Sequence, residues 1–228
     1  MAHSFPTRRS SDLANYLGQT WAPDDEGDPN VVENSFVAGQ PVGFPVGVGA
    51  VLPWAFLHWG WASLAQDPGA LQIAVEVVVL LVWNDIHFYA NHRLLHTKAL
   101  RRFHQQHHRS LVTTPFATYS FHPLEAALLG NVILLPMLLH DFSFAALLSL
   151  PVCSLLLNNL GHSNYDYAPG VGHHHWLAAS RRHHLHHACY HGNYGFLFNF
   201  MDGWFGTRLP DDASRAQLEE FRARAAAR

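Results

Sequence analysis

The chain has 228 residues, of which 49% are hydrophobic, 14% are charged and 19 are histidine. One domain of that length can bury a core, yet its charged fraction lies well below the roughly 25% usual in soluble domains, so part of the surface is expected to face something other than water. A formal net charge of −3 offers no broad basic face to phosphate backbones, which excludes nucleic acid as a partner. Two cysteines, Cys153 and Cys189, make neither a disulfide framework nor a thiolate zinc site. Any metal must be held mainly by imidazole.

Residues 1–13 read as an adapter-derived artefact. The run from His3 to Leu13, HSFPTRRSSDL, resembles the translation of a sequencing-library adapter, and it contains no apolar stretch of the kind a signal peptide needs. Residues 14–45 form a polar, acidic arm with Asp24, Asp25, Glu26, Asp28 and Glu33 among Pro, Gly and Asn, expected to be solvated. Residues 46–210 are expected to form one membrane domain. Its apolar runs are Val46 to Ala65, Gly69 to Trp83, and Leu124 to Leu157, the last broken at His140-Asp141. A bilayer core about 30 Å thick needs roughly 20 helical residues. The first run reaches that length, the second reaches it by continuing through Tyr89, and the third divides into two short spans joined near Asp141. Residues 211–228 read as a basic amphipathic helix or tail.

The basic residues are segregated. Beyond Arg8 and Arg9, every Lys and Arg falls either between Arg93 and Arg109 or between Arg181 and Arg228. Membrane proteins collect such residues in cytoplasmic loops. Both stretches are therefore expected on the cytoplasmic side, with an even number of crossings between them. The fold expected is all-α: an integral, multi-pass membrane bundle of about four transmembrane helices under a cytosolic, histidine-rich helical cap.

Histidines cluster in three places. Asp85, Tyr89, His92 and His96 follow one another at +4, +3 and +4, which aligns them on one stripe of a helix. His92 and His96 can then aim at one point, with Asp85 or Tyr89 orienting them from behind. FHQQHH supplies His104, His107 and His108, and the same spacing returns in His183, His186 and His187. Eight imidazoles suffice for two metals, and neutral imidazole suits Fe, Zn, Cu and Ni. Carboxylates are sparse in these segments, so a histidine-only dinuclear iron site at a membrane surface is the economical reading.

The runs Asp85 to Glu125 (DIHFYANHRLLHTKALRRFHQQHH through FHPLE) and Asn159 to Thr207 (NLGHSNYDYAPG, then HHLHHACYHGNYGFLFNFMDGWFGT) resemble the fatty acid hydroxylase and sterol desaturase superfamily. The resemblance spans roughly residues 77–207. It implies a membrane di-iron, O2-dependent oxidoreductase that hydroxylates or desaturates a lipid, fatty acyl or sterol-like. It also implies that His92, His96, His104, His107, His108, His183, His186 and His187 are ligands of two Fe ions, and that His162 in GHSNYD is a further one. No catalytic group separate from those ligands is expected. Zn can substitute for Fe. With no GxGxxG after a strand and no second haem-binding domain in the sequence, electrons are expected from a separate ferredoxin- or cytochrome-type donor with its reductase.

Asp85, Tyr89, His122, His184, His191 and Asn193 are the supporting candidates. His122 in HPLE can equally be a hydrogen-bonding residue at a helix start, and Asn193-Tyr194-Gly195 is expected to make a tight turn that locks the third histidine group. His173, His174 and His175 read as a surface loop, and His58 and His140 as packing or interface residues. Met201 stands where the family usually has an aromatic residue, and Arg181-Arg182 where it commonly has Thr-His. Two other functions compete: a histidine-rich membrane metal transporter or sensor, which would line its spans with polar ligands, and a zinc-bound, non-redox hydrolase on the same fold. Hydroxylation against desaturation, the particular lipid and the particular electron donor have no signature in the sequence.

Overall fold

A long apolar segment can pair its own N–H and C=O groups internally only as a helix, and every regular element among the described residues is helical. The computed structural model describes residues 43–209, apart from 110–112, 114, 116–117, 164, 166, 169 and 173. The artefact expected at 1–13, nearly all of the arm at 14–45, the tail at 211–228 and His173 lie outside the described residues.

In chain order the helices are α1 (Gly43–His58), α2 (Ala70–Leu95), α3 (Arg101–His104), α4 (Pro123–Gly130), α5 (Leu134–Leu139), α6 (Phe144–Gly161), α7 (Ala179–Cys189) and α8 (Phe200–Trp204). Short 3-10 turns fill His107–Arg109, Asn131–Ile133 and Trp176–Ala178. The chain separates into two units. Of the described residues, the first comprises those in 43–106 and 121–157, and the second those in 107–120 and 158–209.

Within the first unit, α2 and α6 are long and apolar enough to cross a membrane. At 26 and 18 residues they rise about 39 and 27 Å at 1.5 Å per residue. The other two expected spans are shorter. α1 stops at His58 rather than running on to Ala65, because the chain turns at Gly60, whose φ of 71° favours glycine. The segment 123–139 is helical but tightens at Asn131–Ile133. Pro136 lacks the N–H that would bond the carbonyl four residues back, and the Trp83 indole fills that vacancy by donating to the Val132 carbonyl at 2.7 Å.

The turn between α5 and α6 falls at 140–143, at the break read from His140-Asp141. Ser143 caps α6: its hydroxyl accepts from the Ala146 amide at 3.2 Å. Its own amide donates to Glu76 Oε2 at 2.9 Å, while Gln72 and His140 donate to Glu76 Oε1 at 2.9 and 3.2 Å. Glu76, a charged residue on an apolar helix, is thus a brace between α2 and the turn, and His140 has the packing role its position suggests. His58 likewise packs, stacked on Trp54 at 4.9 Å. A core of Leu80, Met137, Phe142, Ala146, Leu147 and Leu150 fills the space between the helices. Val75, Val78, Val79, Val82, Leu148, Val152, Leu155 and Leu156 remain exposed. Such a display of large apolar side chains is foreign to a water-solvated monomer.

The second unit is built around α7, a helix whose Ser180 to His187 are all buried although only Leu185 among them is apolar. Arg182 lies inside this unit at 2% exposure, donating to the His175 carbonyl and, at 2.8 Å, to the Leu197 carbonyl. Arg181 reaches the Val171 carbonyl at 2.8 Å. The departure Arg181-Arg182 therefore pins the loops on either side of the third histidine group.

Candidate metal centre

α7 carries His183, His186 and His187 on one side because residues three and four apart share a helical face. The 3-10 turn at 107–109 presents His107 and His108, and the last turn of α6 leads into His162. Within the second unit these residues meet. One donor nitrogen each of His107, His162, His183 and His187 lies within 4.8 Å of the others, and all four residues are buried. Nε2 of His162 stands 3.3 Å from Nε2 of His107 and 3.0 Å from that of His183, which is 3.2 Å from Nε2 of His187.

These separations are themselves a test of fit. Ligands of a tetrahedral metal at about 2.0 to 2.1 Å stand roughly 3.3 Å apart, close to what the four nitrogens show. The tautomer also fits. His162 Nδ1–H donates to the Asn158 carbonyl at 2.8 Å, which leaves Nε2 a lone pair for a metal. Burial lowers the His162 pKa to about 4. It drives that of His183 well below 6.5, and the neighbouring His162, His187, His186 and His107 add repulsion whenever they are charged. Four buried imidazoles with donor nitrogens this close together could hold a metal ion.

Beside this group, His108 and His186 face one another with Nε2 atoms 3.1 Å apart, and the His108 ring lies 4.5 Å from that of His187. His186 Nδ1–H donates to the Gly192 carbonyl at 2.8 Å, which leaves the lone pair on its Nε2. Tyr190, in a left-handed conformation at the C-terminus of α7, lays its ring 4.7 Å from His108. It had no signal in the sequence beyond adjacency to the histidines.

The loop after α7 is held by Asp202, buried at 1% exposure. Its carboxylate accepts from the amides of Tyr194 at 2.9 Å and Gly195 at 2.7 Å and from the Thr207 hydroxyl at 2.6 Å. Burial raises the Asp202 pKa, while those donors and Arg182 draw it back. Gly195 is required here, since a Cβ would sit 2.7 Å from Asp202 Oδ2. Gly192, at φ +76°, would place a Cβ 2.8 Å from the Thr207 carbonyl. Asn193, also at positive φ, donates its amide to the Thr207 carbonyl at 2.8 Å and accepts from the Leu209 amide at 3.0 Å. The tight turn expected at Asn193-Tyr194-Gly195 is thus part of the clamp that presents the Gly192 carbonyl to His186.

Within the first unit, α2 presents Asp85, Tyr89 and His92 on its buried face. His96 follows as its C-terminal cap, half-buried. The rings of His92, His96 and His104 form a triangle with centroids 5.0, 5.0 and 4.7 Å apart. The Tyr89 hydroxyl accepts from Arg93 at 3.1 Å. His104 Nδ1–H donates to Glu125 Oε1 at 2.7 Å, both side chains almost wholly buried. Glu125, from HPLE, is absent from the candidates read in the sequence.

His122 takes the structural alternative: its Nδ1 accepts from the Leu124 amide at 3.1 Å and caps α4. His184 is buried but belongs to neither histidine group, and burial lowers its pKa to about 4. His191 is exposed. His174 accepts from Asn199 at 2.9 Å, and His175 caps the turn at Trp176. Burial pushes the Cys189 thiol up to about 11, so it is an inert neighbour.

Buried histidine nitrogens at ligand spacing could hold a metal ion, and the same chain carries two helices long and apolar enough to cross a membrane. The fatty acid hydroxylase family model matches residues 77–207, and the chain belongs to that family, within the fatty acid hydroxylase and sterol desaturase superfamily. It is 31% identical over 160 residues to Delta(7)-sterol 5(6)-desaturase ERG3B of Gibberella zeae, covering 66% of this chain and 44% of that protein. It is 28% identical over 155 residues to the Delta(7)-sterol 5(6)-desaturase of Saccharomyces cerevisiae, covering 65% and 40%. To a cholesterol 25-hydroxylase-like protein of Danio rerio it is 30% identical over 168 residues, covering 69% and 66%. The matched region spans less than half the length of the desaturases. No solved structure matches the chain.

Proposed function

We propose that the protein is a membrane-embedded, O2-dependent lipid oxidase that hydroxylates or desaturates a fatty acyl or sterol-like substrate. The observation that carries this reading is the buried set His107, His162, His183 and His187, whose facing nitrogens have the spacing of ligands around one ion. In this reading two iron ions are held by His92, His96, His104, His107, His108, His162, His183, His186 and His187, with that set of four holding one of them. Iron bound to imidazole supplies the reduction of O2 and the removal of hydrogen from an unactivated carbon.

The chain's own part is to fix the donors and exclude water. Carbonyls of Asn158 and Gly192 hold His162 and His186 in the tautomer with Nε2 unprotonated. Burial keeps His162 and His183 neutral and able to ligate at physiological pH. In this reading the apolar faces of α2 and α6 lie in the bilayer as two of about four spans, and the segregation of basic residues supports a cytoplasmic side for the histidines. Electrons come from a separate ferredoxin- or cytochrome-type donor with its reductase. Sterol desaturases and a sterol hydroxylase-like protein among the relatives support a lipid substrate of that kind.

Lipid profiling of a host expressing the chain tests the reading. A new hydroxylated or unsaturated lipid is expected under air and not under anaerobic growth. The same product formed equally without oxygen would exclude O2 as the reactant and overturn the reading.

A further inference from the structure

Three histidine rings from α2 and α3 meet in the first unit, and one has a partner of a different kind from the rest. His162 and His186 are oriented by backbone carbonyls, whereas His104 donates Nδ1–H to a carboxylate, Glu125 Oε1, at 2.7 Å. The two residues are 2% and 0% exposed. They come from separate elements: His104 ends α3, and Glu125 lies in the first turn of α4, one of the places where a helix favours an acidic side chain. Among the described residues, His104 is the only side chain that hydrogen-bonds Glu125, and the second oxygen, Oε2, is buried with no partner. Glu125 also accepts from the backbone amide of His122 at the start of its own helix, whereas the bond to His104 reaches a separate element 21 residues away in sequence.

The geometry points to Glu125 as a positioning residue for the metal centre: it fixes His104 with Nδ1 protonated, aims Nε2 at the ion and raises the ring's basicity. A buried carboxylate behind an imidazole does this through a short, charge-assisted hydrogen bond. The inference rests on the metal reading above and adds a residue to it. Glu125 touches neither ion nor substrate, and acts only through His104.

The test uses the full chain in detergent, stripped with a chelator and titrated with Co2+, whose visible absorption reports ligation apart from turnover. Wild type is expected to take two ions. Glu125→Gln, which keeps size and an acceptor but loses the charge, is expected to weaken one of them about tenfold, the lower end of the range for partners of metal-bound histidine. The other ion's affinity and the helical circular dichroism should be unchanged. In a His104→Ala background the same substitution should have no further effect. Glu125→Gln binding both ions like wild type would overturn the inference, as would an equal weakening when His104 is already gone, and either result leaves the metal reading standing. A wild-type chain that binds no ion would overturn both.

Discussion

Asp202→Ala would separate the clamp from the histidines it supports. The carboxylate accepts from two backbone amides and one hydroxyl, at 2.9, 2.7 and 2.6 Å. The Thr207 hydroxyl can rotate to another acceptor. The amides of Tyr194 and Gly195 cannot, and each buried, unsatisfied donor costs about 1 to 3 kcal/mol, giving about 4 kcal/mol in all. For a chain of this size each kcal/mol moves Tm by about 2 to 4 °C, so thermal unfolding of the detergent-solubilised protein should fall by roughly 8 to 16 °C. Asp202→Asn should lie between variant and wild type, since one amide oxygen can serve Tyr194 and Thr207 while its NH2 opposes Gly195. The same loop presents the Gly192 carbonyl to His186, so metal affinity should fall with stability. An Asp202→Ala protein melting within about 2 °C of wild type would refute the clamp.

His107→Ala is expected to abolish lipid oxidation and lower bound metal by about one ion per chain, read by elemental analysis; retained turnover would reject the assignment. His140→Ala removes a donor that Glu76 shares with Gln72 and Ser143, so activity in the lipid-profiling assay should stay near normal. Its loss to the level of His107→Ala would show the active region misplaced. In the metal-free protein, His162 and His184 both have pKa values lowered from 6.5 to about 4 by burial. They stay neutral when folded while the unfolded chain takes up protons, so stability is intact above 6.5 and is lost as pH falls from 6.5 toward 4, by about 3 kcal/mol for each. Denaturant titrations at pH 7.5 and 5 measure this, and equal midpoints would contradict it.

Helical periodicity made the histidine groups legible. The +3 and +4 spacing of His183, His186 and His187 does fall on one helical face, and His183 and His187 meet His107; the same spacing in His104, His107 and His108 does not, because the helix ends at His104 and His107 opens a separate 3-10 turn. His162 is far from both in sequence and was reached only through the GHSNYD resemblance. The break at His140-Asp141 was legible because a polar pair in an apolar run has few places to go. The early end of α1 was not, because hydropathy runs past His58 while the backbone turns at Gly60. Glu125 escaped for a related reason. Its partner lies 21 residues away, and HPLE draws the eye to His122, whose ring only caps the helix. Asp202 carried no signal in the sequence, because its three donors are set by a loop closure that no periodicity encodes.

The most direct test is X-ray absorption at the iron edge on the reconstituted full chain, with iron counted per chain. Two iron ions in a shell dominated by imidazole nitrogen are expected, falling to one when His162 and His183 are both replaced by Ala. Less than one ion per chain, or a shell of oxygen and sulfur unaffected by those substitutions, would contradict it.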